Sequence, residues 1–180
     1  MYLFETARLK VRPLSMQDLP ALTAVLSDPA VMEYSIRGVC DEAATRQFIA
    51  WCEACYAESG VGPWALEERA TGELAGFCGI NAEQVDGEEE TSLGYRLARR
   101  YWHQGLATEA ARAVAQYAFD EKGCESLVAI IEPAHIASIR VAEKVGFAQY
   151  TVHRFHDRPV RLYRLERAAW RARSQRPAGA

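Results

Sequence analysis

Two short stretches of this chain hold residue types whose spacing could do chemistry. The first, L-A-R-R-Y-W-H-Q-G-L-A-T-E-A at residues 97–110, starts in a strand-like run and ends in a helical one, with Gly105 at the bend. A strand-to-helix turn leaves the first amides of the helix unpaired and aimed at the gap before it, and the helix dipole adds to their pull on an anion. Gly105 lets a phosphate approach with no β-carbon in its way. Ala107 and Thr108 keep the approach open, and the Thr108 hydroxyl can add a hydrogen bond. The spacing is neither that of the phosphate loop G-x-x-x-x-G-K-[ST] nor the dinucleotide glycine pattern. The second stretch, E-P-A-H-I-A-S-I-R-V-A-E-K-V-G-F at residues 132–147, follows an apolar run and brings His135 and Ser138 to the start of another helix.

Other reactive side chains read as structural. Cys52 and Cys55 form a lone C-x-x-C inside the helical F-I-A-W-C-E-A-C-Y-A-E, and no second pair follows, so two packed thiols are expected rather than a redox or zinc site. His153 and His156 have no evident carboxylate partner, and no metal site is expected. Glu88, Glu89 and Glu90 follow a turn signal, V-D-G; such acids are either solvated or form an acidic mouth that draws in a cation. Trp64, on a strand-like run, is read as core or as the wall of an acceptor pocket.

The elements that must position these residues can be read in order. T-A-R-L-K-V-R-P-L (6–14) reads as a strand, and Ser15 then caps a helix with Leu19, Leu22, Val25 and Leu26 at helical spacing. Asp28-Pro29 ends it, and a second helix runs from Asp41 to Glu58 before Ser59-Gly60. Three strand-like runs follow, P-W-A-L-E-E-R, E-L-A-G-F-C-G-I and T-S-L-G-Y-R-L-A, separated by Thr71-Gly72 and V-D-G-E-E-E. A helix from Leu106 to Lys122 closes on Gly123, S-L-V-A-I-I-E reads as a buried strand, and a helix over 137–145 ends at Gly146. F-A-Q-Y-T-V-H-R-F and P-V-R-L-Y-R-L-E close the chain as a hairpin. The order β-α-α-β-β-β-α-β-α-β-β predicts an α+β fold, mostly antiparallel, with helix-linked parallel strands in the middle.

The composition bounds the rest. With 180 residues, 49% hydrophobic and 25% charged, a single domain over 1–173 is expected, with 174–180 as a disordered tail. No run of about 18 apolar residues occurs, so no membrane span is expected. The opening M-Y-L-F-E-T-A-R-L-K-V-R-P-L lacks a signal-type apolar core, and five cysteines without framework spacing suit a reducing compartment, so a cytoplasmic protein is expected. The net charge is −3, but from Arg154 onward eight arginines against Asp157 and Glu166 give +6, leaving −9 on the rest. Arg158, Arg161 and Arg164 alternate with apolar residues, which reads as a solvated strand edge rather than a nucleic-acid surface.

Taken in order, L-G-Y-R-L, Y-W-H-Q-G-L-A-T-E-A, a strand, and S-I-R-V-A-E-K-V-G-F resemble the GNAT acetyltransferase superfamily. The opening T-A-R-L-x-V-R-P-L and the late L-Y-R-L-E-R-x-x-W are similar to its branch of ribosomal-protein N-terminal (alanine/serine) acetyltransferases. The resemblance covers nearly the whole chain. It implies a mixed, mostly antiparallel sheet with a splayed parallel strand pair, flanked by helices, and acetyl-CoA as co-substrate without a metal. The pyrophosphate would lie on the amides of Gln104, Gly105, Leu106, Ala107 and Thr108. The pantetheine would pair with the backbone of Tyr95 to Ala98, chiefly Leu97. Ser138 and its neighbours would line the thioester end, with Pro133, Ala134 and His135 beside the cofactor.

Departures from the family pattern shape the expected mechanism. Trp102 stands where Gln or Arg is widespread, His103 where this branch favours glycine, His135 where Asn is usual, and Ala142 where many relatives carry a tyrosine acid. Acetyl transfer needs a deprotonated amine, an amide for the developing oxyanion and a proton for the departing thiolate. Without that tyrosine, Ser138 is the remaining proton donor. Glu90 is nearest the place where some members carry a catalytic glutamate. The implied function is transfer of an acetyl group to a primary amine, on a protein N-terminus or a small molecule, directly in a ternary complex. The alternative is a CoA-binding sensor or interaction module that has lost catalysis. Neither nucleic acid nor membrane is an expected partner, and the chain is expected to be a monomer or homodimer.

Overall fold

The first helical segment begins where Ser15 predicts. The Ser15 hydroxyl accepts from the Gln17 amide at 3.3 Å and the Asp18 carboxylate accepts from the Ser15 amide at 3.0 Å, a reciprocal cap. The segment opens as a 3₁₀ turn, Met16–Asp18, and continues as α1 (Leu19–Leu26), whose Leu19, Leu22, Val25 and Leu26 are buried. Asp41 caps α2 (Glu42–Ser59) by accepting from the Ala44 amide at 2.8 Å, and Gly60 ends it in the left-handed conformation. Cys52 is buried on α2 among apolar side chains and Cys55 is half-buried; both are free thiols.

The computed structural model describes residues 1–176. Its strands are β1 (Phe4–Glu5), β2 (Leu9–Pro13), β3 (Pro63–Glu68), β4 (Leu74–Val85), β5 (Glu88–Leu97), β6 (Ser126–Ile131), β7 (Gln149–Phe155) and β8 (Arg158–Glu166). With α3 (Leu106–Asp120), α4 (Ile136–Val145) and α5 (Arg167–Ser174), they form the α+β arrangement expected. One eight-stranded sheet runs β1-β2-β3-β4-β5-β6-β8-β7, and every neighbouring pair is antiparallel except β5 with β6. That parallel pair shares a single bridge, Ser92 with Val128. Beyond it β5 runs on to Leu97 paired only with β4, so a gap opens between β5 and β6.

Three details differ from the sequence reading. The strand expected over 6–14 is shorter, β2 alone, and a two-residue β1 before it folds back on it across Thr6–Arg8. The β4–β5 hairpin is longer than the apolar runs suggested, because only Asp86-Gly87 turns, both with positive φ (48° and 82°). Glu88, Glu89 and Glu90 therefore belong to β5. After β8 the chain forms α5 and packs Trp170 against Phe119 of α3. Ser174, expected to begin the tail, is the last residue of α5, and 177–180 lie outside the described residues.

Two layers of helix cover the sheet. On one face α3 lies flat because its inward positions are small: Ala110, Ala111, Ala115 and Ala118 are buried with Val114 and Phe119 between them. Trp64 is 1% exposed in this core, edge-on to Tyr117 of α3 at 5.4 Å, so it walls no acceptor pocket. On the other face α1 and α2 bury Leu22, Leu26, Phe48, Ile49 and Cys52. Each of these apolar side chains, fully buried, contributes roughly 1.5–3 kcal/mol.

Candidate active site

The bend before α3 is held from behind. Gly105 takes the left-handed conformation at the N-cap with φ 77°, and no side chain caps the helix. His103 also has positive φ, 61°, so a β-carbon is carried in a conformation that favours glycine. The Trp102 indole donates to the Leu97 carbonyl at 2.9 Å, tying the bend to the end of β5. Arg8 donates to the Gln104 carbonyl at 2.8 Å and to Glu109 at 2.9 Å, while the Thr6 hydroxyl donates to Glu109 at 2.6 Å. Burial pushes the Glu109 carboxyl up, but the bonds from Thr6 and Arg8 outweigh it and hold the group below its ordinary range. The carbonyls of the bend are thus engaged, and the first amides of α3 are turned to a cavity.

That cavity, about 580 Å³, fills the gap beyond the β5–β6 bridge. Leu97, Gly105, Leu106, Ala107, Thr108, His135 and Ser138 all line it, as do Tyr95, Ala134 and the cations Arg140 and Lys144 of α4, which sequence reasoning passed over. Three expected residues do not. The Ala98 amide donates to Ala75 of β4, away from the gap; Gln104 turns its side chain to the Arg100 carbonyl; Pro133 is exposed on the connection into α4. Since Ala98 faces β4, alternation turns the backbone of Tyr95 and Leu97 toward the gap. Of Leu97, the indole of Trp102 takes the carbonyl, leaving the amide for a ligand.

A second cavity of about 300 Å³ adjoins the first along β5, reaching from α4 to the α1–α2 side of the sheet. Phe77, Asn81 and Glu83 of β4, Ser92 and Gly94 of β5, Arg37, and Phe48 of α2 surround it. Its floor at Gly94 is bare, for a β-carbon there would meet nothing within 4 Å. The two cavities share Tyr34, Tyr95, Arg96, His135, Ser138 and Val141. At this junction the Tyr95 phenol and the Ser138 hydroxyl are 2.9 Å apart, each able to donate to the other. Burial keeps the Tyr95 phenol far above its ordinary value, the bond to Ser138 opposing it weakly, so it stays protonated. His135 stacks on Tyr34 at 4.3 Å with 15° between the rings. Burial, and then the charge of Arg96, hold the imidazole below its ordinary value, so it is neutral at pH 7.

Glu90 is not brought to either cavity. Arg164 of β8 clamps it with two bonds, at 2.6 and 3.0 Å, near the opposite end of β5. Its cross-strand partner Glu83 lines the second cavity instead, accepting from Asn81 at 2.9 Å. Sequence reasoning missed Glu83 because the apolar run ends at Ile80, although the alternation of β4 continues through it. It also missed Tyr95 as a side chain; the inward alternation of Leu93, Tyr95 and Leu97 was the available signal. Ala142 is buried in the wall of the second cavity. His153, for which no carboxylate was evident, meets Asp86 of the hairpin turn at 2.5 Å.

Residues 8–148 match the family model described as an acetyltransferase (GNAT) domain. The protein YkkB of Bacillus subtilis (strain 168) is 37% identical over 159 residues, spanning 88% of this chain and 92% of that one. The crystal structure of a GNAT-family acetyltransferase from Bacillus anthracis superposes with a TM-score of 0.76 at 25% identity, covering 93% of this chain and 99% of that one. The aminoglycoside acetyltransferase AAC(6')-Ib, solved with coenzyme A and kanamycin, superposes with a TM-score of 0.76 at 20% identity, covering 93% and 99%. A match over most of the length and a shared fold agree: this chain belongs to the GNAT acetyltransferases and is an N-acetyltransferase.

Proposed function

We propose that the chain moves an acetyl group from acetyl-CoA to a primary amine, with donor and acceptor held together in the two cavities. The observation that carries this reading is their meeting at the Tyr95–Ser138 pair, where β5 and β6 part. The uncapped amides of Leu106, Ala107 and Thr108 suit a pyrophosphate, Arg140 and Lys144 suit further phosphate charge, and the Leu97 amide suits a pantetheine strand. AAC(6')-Ib, of the same fold, is seen with both coenzyme A and an acceptor, which supports a two-cavity arrangement.

When bound, acetyl-CoA supplies an acetyl thioester. The bare floor at Gly94 admits the amine to it, and the backbone of β5 beyond the bridge offers amides to the developing oxyanion. Ser138 donates its proton to the departing sulfur, and the Tyr95 phenol, donating to the Ser138 oxygen, supports that role in place of the tyrosine that Ala142 lacks. Neutral His135, at the junction of the two cavities, is the group that can take the proton of the attacking amine. A small-molecule amine and the first residue of a protein chain, as in the ribosomal-protein branch, are both acceptors of a size for a cavity of about 300 Å³. All five cysteines are free, in keeping with a cytoplasmic enzyme.

The test is release of CoA thiol with acetyl-CoA and a panel of amines. Turnover with at least one amine is the expected result. Tight acetyl-CoA binding with no thiol release from any amine would favour the sensor reading that Ala142 and His135 suggest.

A further inference from the structure

We infer that the acceptor is an amine that also carries an anionic group, a carboxylate or a phosphate, which binds between Arg96 and Arg37. This rests on reading the second cavity as the acceptor site.

The charges lining that cavity do not balance locally. Glu132 and Arg158 neutralise each other at 2.8 Å. Arg96 and Arg37 have no such partner: among the described residues, no carboxylate lies within ion-pair distance of either. The half-buried Arg96 donates one bond, at 3.2 Å, to the Val31 carbonyl on the α1–α2 connection. Of the other half-buried arginines, Arg12 pairs with Asp18 and Glu67, Arg158 with Glu132 and Arg167 with Glu125, while Arg161 lies over the Tyr150 ring and donates to the Tyr163 phenol; Arg96 has no such neighbour beyond the Val31 carbonyl. Burial, and then the neighbouring charge of Arg37, hold the Arg96 guanidinium below its ordinary value, as two cations without a counter-ion should. A buried charge left unpaired is costly, and a ligand that supplies the missing charge recovers that cost on binding. Guanidinium groups also match carboxylate and phosphate with paired N–H donors.

The strand geometry sets where that anion lies relative to the amine. Arg96 and Gly94 are two residues apart on β5, both lining the cavity, so about 6.6 Å separates them. Gly94 is the open floor, and Arg96 adjoins Tyr95 and so the junction with the donor cavity. An anion on Arg96 therefore places an amine a few bonds away beside the thioester end, the spacing found in an amino acid or an aminoalkyl phosphate. Glu83 cannot neutralise Arg96 from its own row. Its partner Glu90 is six residues from Arg96 along β5, roughly 20 Å. The cavity is thus polarised, cationic beside the donor and anionic at the far end.

The experiment uses matched pairs: α-amino acids against their carboxamides, and phosphoethanolamine against ethanolamine, with spermidine and kanamycin as cationic acceptors. Two readouts are taken, thiol release with acetyl-CoA and calorimetric binding of N-acetyl amino acids and their amides to the CoA-saturated protein. The anionic members are expected to be preferred by about tenfold or more, the scale of a charged hydrogen bond. Arg96→Gln should bring that preference close to one, mainly through KM, and Arg96→Lys should restore part of it. The phosphate and carboxylate arms identify which anion is used. Preference for spermidine, kanamycin or the neutral members, unaltered in a folded Arg96→Gln protein, overturns the anion site and leaves the acetyltransferase reading intact. Arg96-dependent binding of the acids without any thiol release does the reverse. Failure of every acid to bind the CoA-saturated protein also overturns the anion site.

Discussion

At Gly105 a single side chain decides whether a phosphate can reach the amides of α3. Gly105→Glu adds bulk in a left-handed position and a carboxylate at the anion site, so acetyl-CoA affinity should fall by 100-fold or more, about 2.7 kcal/mol, while the fold persists. Calorimetry with circular dichroism checks both halves. Ser138→Ala and Tyr95→Phe should each lower kcat with acetyl-CoA affinity nearly unchanged, and the double variant should be little worse than the poorer single one, because the two hydroxyls act as one unit. Additive losses would separate their roles. His135 gives a pH prediction. Its imidazole is held below its ordinary value near 6.5, so the stability this contributes is present above that value and is lost as pH falls through the lower folded value. Urea midpoints at pH 7.5 and 5 should therefore drop more for the wild type than for His135→Gln. Ser138 was legible as a residue because it opens a helix beside a recognisable turn. Glu90 was misread because its direction is set by Arg164, 74 residues away, which no local pattern reveals.

Elements whose signals are local were read well, and those that depend on partners were not. The cap at Ser15, the helix start at Asp41 and the stop at Gly60 lie in a few adjacent residues, and each is legible in the sequence. The extent of the β4–β5 hairpin depends on pairing, so the polar stretch between its apolar runs, Asn81–Val85 against Glu88–Glu90, carries no local strand signal, and Glu83 is not marked out. α5 was missed because its stability comes from Trp170 packing on a helix fifty residues earlier. The gap that holds the donor depends on a close approach at Gly76. There φ is 153°, and a β-carbon would lie 2.0 Å from the Arg96 carbonyl, which belongs to backbone and cannot yield. Gly76→Ala should therefore push β5 from β4 just where Tyr95 and Leu97 face the cavity. The expected result is a loss of stability of about 2 kcal/mol or more together with weakened acetyl-CoA binding, read from urea unfolding and calorimetry.

Across the whole molecule, donor and acceptor have separate cavities that meet where β5 and β6 part and share only a few side chains. No cysteine lines either cavity, and burial holds the Cys52 and Cys78 thiols far above their ordinary values. Initial-velocity plots should therefore intersect, and mass spectrometry should find no acetylated protein after exposure to acetyl-CoA alone. Parallel lines with an added acetyl mass would contradict direct transfer. The architecture was legible in advance because its order of elements is distinctive. The charge of the acceptor cavity was not, since it arises from which arginines find partners among residues distant in sequence.

The connection between α1 and α2 stacks Tyr34 on His135 and offers the Val31 carbonyl to Arg96, and it borders both cavities. A segment that must be ordered twice need lose its freedom only once. Whichever ligand arrives first meets that entropy cost, and the second binds to a surface already restrained. Donor and acceptor should therefore be linked by a coupling free energy, and linkage requires the enhancement to be equal in both directions. The ratio of acceptor affinities with and without CoA should match the ratio of CoA affinities with and without acceptor. Tyr34→Ala, which removes the stacked ring while sparing the arginines, should bring both ratios toward one.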